Sequence, residues 1–143
     1  MIKVGTEVKK VEANGTEFSY VEQGQGGPLI LVHGSLNDYR TWNPQLESFS
    51  RRYHVIAYSR RYHYPNPWVG DGKDYDAILH SEDLAGMIKA LGLGTVGIIS
   101  HSYGAYASLL LTARQPKLVQ AIVLAELPLV PWLEDIPGGP SLS

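Results

Sequence analysis

One serine-centred turn constrains this chain most. Ser100-His101-Ser102-Tyr103-Gly104 follows an apolar β-type run, Val96-Gly97-Ile98-Ile99, and leads into Ala105-Tyr106-Ala107-Ser108-Leu109-Leu110-Leu111. The run of small and apolar residues predicts a helix. A strand and a helix joined by so short a turn must have backbones that approach closely. Small residues two before and two after Ser102 allow that approach, and the turn then lifts the central hydroxyl clear of the sheet. Gly104 is the smallest choice and Ser100 the next smallest, so the geometry is tight on the strand side.

A second motif stands in register with the first. Leu29-Ile30-Leu31-Val32 ends in His33-Gly34-Ser35, and a polar loop then runs to Trp42. Asn43-Pro44 reads as an N-cap with proline in the first helical turn. The rest of the chain alternates in the same way. Val8 to Ala13 and Thr16 to Gln23 flank Asn14-Gly15, a two-residue hairpin signal. Gly24 to Pro28 separates that hairpin from the His-Gly strand. His54 to Ser59 reads as a buried strand, and Asp76 to Leu91 as a helix with Leu84, Met87, Ile88 and Leu91 on one face and Gly92 as its stop. The helix after the Ser102 turn runs to about Gln115, and Ala121 to Glu126 is the next strand. Strands separated by helices predict an α/β fold: a mainly parallel sheet with an N-terminal β-hairpin and helices on both faces.

Carried by the His33-Gly34 loop and the Ser102 turn, the chain resembles the α/β-hydrolase family, in its serine-nucleophile branch. The resemblance implies that Ser102 is the catalytic nucleophile on a nucleophile elbow. It implies that the backbone amides of Ser35 and Tyr103 form the oxyanion hole. Backbone donors suit that task because they are fixed before charge develops on the tetrahedral oxygen. In one branch of the family, the acid of the triad sits at the end of the strand after the elbow, where this chain has Glu126. That glutamate reads either as the acid that orients a catalytic imidazole or as a solvent-facing strand end.

The resemblance covers nearly the whole chain but only the N-terminal half of the family. A lid, further strands and the catalytic histidine normally follow. The five histidines are poor substitutes. His54 begins a strand, at the wrong end of the sheet, and His80 lies early in a helix. His101 adjoins Ser102 with its side chain expected to point away, and His33 serves the oxyanion loop. His63 alone is in a loop at the correct end. Without a base within hydrogen-bond reach, a serine hydroxyl is a weak nucleophile at neutral pH.

Residues 60 to 68, Arg-Arg-Tyr-His-Tyr-Pro-Asn-Pro-Trp, occupy the place of a glycine-rich turn in the family and keep Arg60 without the glycines. They read either as aromatics and arginines packed over the strand ends or as a wall of the substrate pocket. Residues 1–133 are expected to form the hydrolase half-core, and 134–143 a linker or frayed end.

Composition narrows the function classes. The net charge of −2 offers no basis for nucleic-acid or membrane-surface binding. There is no cysteine, hence no disulfide or thiolate metal site. The first residues lack the apolar core of a signal peptide, and a cytoplasmic protein is expected. With no metal-ligand cluster or dinucleotide-type glycine loop, no cofactor is expected.

Three functions fit. The chain is a serine hydrolase core, acting on a small ester-like substrate once a second chain or a swapped copy supplies the missing half. Or it is a truncated, self-associating and inactive domain. Or it is a binding module that keeps the ligand pocket. In the first case serine at the elbow disfavours dehalogenases and epoxide hydrolases, which use aspartate there. Carboxylic-ester hydrolysis is the default.

Overall fold

The computed structural model describes residues 7–128. The predicted tail at 134–143 lies outside the described residues, as do Leu129, Val130 and Trp132, apolar residues that the sequence places just beyond the last strand, where an edge left open for a partner is expected.

Asn14 and Gly15 both take positive φ, 46° and 80°. This closes β1 (Lys9–Ala13) onto β2 (Thr16–Gln23) in antiparallel register. Four strands then run parallel: β3 (Gly27–Val32), β4 (Tyr53–Tyr58), β5 (Val96–His101) and β6 (Val119–Ala125). The six-stranded order is β1-β2-β4-β3-β5-β6, with β2 antiparallel to β4. The expected mainly parallel sheet with an N-terminal hairpin is therefore present.

Alternation along the strands divides the core between two faces. Phe18, Ile30, Val32, Ile56 and Ile98 point to one face. They pack with Leu84, Met87 and Ile88 of α2 (Ala77–Ala90) and Leu111 of α3 (Tyr103–Arg114). Leu29, Leu31, Val55 and Ala57 point to the other, against Trp42 and Leu46, the latter on α1 (Asn43–Ser50). Asp76 caps α2, its carboxylate accepting the Leu79 N–H at 2.7 Å. Gly92 ends the helix at φ 64°, with the Leu93 N–H donating to the Ile88 carbonyl.

Two boundaries differ from the sequence reading. Asn43 does not cap α1; it is already helical at φ −51°. A 3-10 turn, Tyr39–Trp42, precedes it, and Asp38 caps that turn instead, accepting the Arg40 N–H at 3.0 Å. Strand β6 starts two residues earlier than expected and ends at Ala125, leaving Glu126 outside it at φ 54°.

Hairpin and helix are tied by a buried ion pair. The Arg61 guanidinium meets the Asp83 carboxylate of α2 through Nε and Nη2, both at 2.8 Å. Arg61 also donates to the Asn14 carbonyl, and the Asn14 side-chain amide donates to Asp83. The buried carboxylate thus accepts three hydrogen bonds, two on Oδ1 and one on Oδ2, which is what makes burial of the pair tolerable.

Candidate functional site

Ser102 sits between β5 and α3 at φ 54° and ψ −124°, a conformation that costs a non-glycine residue of order 1–3 kcal/mol. The surroundings impose it. The Ser102 N–H donates to the Ala125 carbonyl of β6 at 2.9 Å, and its carbonyl accepts from Ala105 N–H at 2.9 Å. The flanking small residues do what the sequence implied. A Cβ on Gly104 would lie 2.2 Å from the His33 carbonyl oxygen, so only glycine lets α3 approach the end of β3. Ser100 is fully buried, and its hydroxyl donates to the Val123 carbonyl at 2.9 Å, turning the larger side chain into a tie between β5 and β6.

The His-Gly loop lies directly against the elbow. A Cβ on Gly34 would stand 3.0 Å from Ser102 Cβ. Ser35 follows, exposed at the end of β3. Tyr103 opens α3, so its N–H has no acceptor within the helix. The two segments that carry the candidate oxyanion amides therefore converge on the Ser102 side chain. The helix N-terminus adds a favourable potential for an anion there.

The histidines separate cleanly. His33 is fully buried, its Nε2 accepts the Arg60 N–H at 2.9 Å, and its Nδ1–H therefore donates to the Gly34 carbonyl at 2.8 Å. Burial, with Arg60 as the next cause, pushes its pKa down to about 3. His63 Nδ1–H donates to the Asn37 carbonyl at 2.7 Å, and its Nε2 accepts from the Tyr75 hydroxyl at 2.8 Å. Burial, then Arg60, holds its pKa below the ordinary value as well. His63, the one histidine in a loop at the correct end, is thus engaged at both nitrogens. His80 is buried beneath Tyr75 and Tyr103, with ring centroids 4.4 and 5.8 Å away. Neither of its nitrogens has a partner among the described residues. His54 pairs with Glu22 at the opposite end of the sheet. His101 Nε2 meets Glu126 Oε2 at 3.1 Å, and its Nδ1 faces Gly34. Among the described residues no imidazole hydrogen-bonds to the Ser102 hydroxyl, and no group of His, Asp and Glu is arranged to hold a metal ion.

Sequence reasoning missed how much the segment from Ser59 to Asn66 does. The Ser59 hydroxyl accepts the Tyr39 N–H at 3.1 Å and donates to the Tyr64 carbonyl at 2.6 Å. Asn66 accepts from the Ser19 N–H and donates to the Ser59 carbonyl, both at 2.7 Å. Arg60 is fully buried under the elbow, 5.2 Å from the Tyr103 ring centroid. The loop has a buried side and an open side. Its arginines pack inside, while Tyr62, His63, Tyr64 and Trp68 line an open cleft of about 510 Å³ that begins at Ser35. The signal available in the sequence was the density of polar and aromatic residues where glycines would suffice for a turn.

Comparison with known proteins agrees with this geometry. A family model for the alpha/beta hydrolase fold matches residues 27–139, and the chain belongs to that family. It is 31% identical over 116 residues to (E)-2-((N-methylformamido)methylene)succinate hydrolase of Acinetobacter baylyi, covering 78% of this chain and 42% of that protein. It is 31% identical to mouse epoxide hydrolase 3, over 85% of this chain and 34% of the relative. Among solved structures, an epoxide hydrolase from Vigna radiata superposes with a TM-score of 0.79 at 26% identity, over 82% of this chain and 39% of that one. The chain thus spans about two-fifths of the length of such relatives. Among the described residues no helix is long and apolar enough to cross a membrane.

Proposed function

We propose that this chain is the nucleophile-bearing half of a serine hydrolase acting on carboxylic esters or related acyl compounds. The observation that carries the reading is the backbone of Ser102, held at positive φ between β5 and α3 with the Gly34 loop against its side chain. In this reading the Ser102 hydroxyl attacks the acyl carbon, its proton passing to a base. The amides of Ser35 and Tyr103 receive the charge that develops on the carbonyl oxygen. Collapse expels the leaving alcohol, which takes the proton, and water then releases the acid by the same route in reverse.

The base comes from outside the described residues, since His33 and His80 are buried, His63 is engaged at both nitrogens, His101 is held by Glu126, and His54 lies at the opposite end of the sheet. A second polypeptide segment carrying a histidine completes the site, either the remaining half of a hydrolase or a second copy. Supporting this, β6 ends the described sheet with Val123 exposed, beside an apolar groove of about 370 Å³ walled by Leu29, Phe49, Ile99 and Ile122. An open sheet edge with an apolar groove beside it suits pairing with a further strand or chain. Glu126 follows Ala125, whose carbonyl accepts the Ser102 N–H, and in this reading its exposed carboxylate exchanges His101 for the incoming imidazole and serves as the acid. The second reading, an inactive domain that binds or self-associates, rests on the lack of a base among the described residues.

A serine-directed fluorophosphonate separates the two. Protein purified with whatever partner accompanies it is expected to gain one adduct on the tryptic peptide Ala90–Arg114, abolished by Ser102→Ala. Labelling that persists in Ser102→Ala places the nucleophile elsewhere, and no labelling in either form favours the inactive domain.

A further inference from the structure

Arg60 is the largest fully buried side chain of the described structure. It has no ion pair among the described residues, and its Nη2 has no hydrogen-bond partner there. Burying an unpaired guanidinium is costly, and a fold keeps such a group when it does something else. Its donors show what. Arg60 Nε donates to the His33 carbonyl at 2.9 Å, the same oxygen that Gly104 approaches from the elbow helix. Arg60 Nη1 donates to the Tyr75 hydroxyl at 3.1 Å. That hydroxyl has one proton, and with its oxygen already accepting from Arg60 it gives the proton to His63 Nε2. His63 then carries its own proton on Nδ1 and donates it to the Asn37 carbonyl. Every proton in the chain Arg60, Tyr75, His63, Asn37 points the same way. The end of that chain is the loop that bears Ser35.

We propose that Arg60 is a positioning residue for the oxyanion loop: it fixes the start of the loop through the His33 carbonyl and its far end through Tyr75, His63 and the Asn37 carbonyl. Its guanidinium also lies under the ring of Tyr103, so one cation is in contact with both segments that carry the oxyanion amides. The loop needs such fastening. Leu36 is fully exposed at φ 59°, so residues 35 to 37 have no side-chain packing of their own at their centre. The catalytic consequence rests on the serine-hydrolase reading; the fastening of the loop does not.

The histidine tautomers provide a readout independent of turnover. His33 accepts from the backbone N–H of residue 60, which a side-chain substitution leaves in place. His63 depends on the side chain at one remove, through the Tyr75 hydroxyl that Arg60 holds. Long-range nitrogen–proton NMR of the imidazoles is expected to show both rings protonated at Nδ1 in the wild type. In Tyr75→Phe, which removes the donor itself, the His63 Nε2 resonance should move toward that of an unbonded nitrogen; in Arg60→Met, which takes away the anchor of the Tyr75 hydroxyl, it should move part of the way, while His33 stays unchanged in both, reporting an intact fold. Amide exchange at residues 35–37 should rise about ten-fold or more in both variants. If Arg60→Met does not fold, Tyr75→Phe decides the matter alone. A His63 ring protonated at Nε2 in the wild type, or unchanged exchange at 35–37 in the folded variants, overturns the proposal. For aryl-ester hydrolysis, kcat should fall about ten-fold or more with KM little changed. Expected NMR and exchange changes in a protein without esterase activity or Ser102 labelling would remove the hydrolase reading and leave the fastening intact.

Discussion

His80 offers a substitution whose effect can be worked out in advance. The ring is 1% exposed, and both nitrogens lack partners among the described residues. Burial first, then the Arg60 charge, pushes its pKa down to about 2. The folded protein therefore keeps His80 neutral while the unfolded chain takes up a proton below the ordinary value near pH 6.5. The stability contributed by a neutral His80 is complete above about pH 6.5 and is lost as pH falls toward 2. The loss is about 1.4 kcal/mol per pH unit, or about 2 kcal/mol between pH 7 and pH 5. His33, with a pKa near 3, adds an equal slope over the same interval. Together they remove about 4 kcal/mol, a large part of the stability of an ordinary domain. His80→Leu is close in volume and has no polar atoms to leave unpaired. It should stabilise the protein by about 1–3 kcal/mol at pH 7 and by about 2 kcal/mol more at pH 5. Urea unfolding followed by tryptophan fluorescence at the two pH values measures both. Equal pH dependence in wild type and variant would refute the reasoning, because it would mean that His80 takes up a proton as readily in the folded protein as in the unfolded chain.

Other consequences follow from the same geometry. Gly104→Ala should destabilise by several kcal/mol or displace α3, since a methyl group would meet the His33 carbonyl oxygen at 2.2 Å; thermal melting reads the loss. Asp83→Ala should cost about 3–5 kcal/mol by leaving the Arg61 guanidinium buried and unpaired, as measured by denaturant midpoint. Ser100→Ala should cost about 1 kcal/mol through the lost bond to the Val123 carbonyl, and amide exchange along β6 should rise.

What was readable in the sequence was set by local chemistry. Asn14-Gly15, the alternating strands and the Ser100-to-Gly104 turn each specify backbone conformation from neighbouring residues, and each formed as expected. The family followed from two such turns in register. Asn43 misled because capping preference is local but the competing cap, Asp38, acted one turn earlier through a 3-10 segment. The supports of the site were not legible for a different reason. Arg60 joins His33, Arg61 joins Asp83, and Asn66 joins Ser19, pairs separated by long stretches of chain. Only the sheet order brings them together. A polar, aromatic loop reads as surface until its partners are known. Glu126 lies where a triad acid was expected, but its partner in the described structure is His101.

The central claim is that Ser102 and the amides of Ser35 and Tyr103 converge on one reacting centre. The most direct measurement is a crystal structure of the phosphonylated protein together with its completing partner. The expected result is a phosphorus–Oγ bond at Ser102, with the phosphoryl oxygen about 3 Å from both the Ser35 and Tyr103 nitrogens. An adduct on another residue, or a phosphoryl oxygen on Ser102 turned away from those two amides, would contradict it.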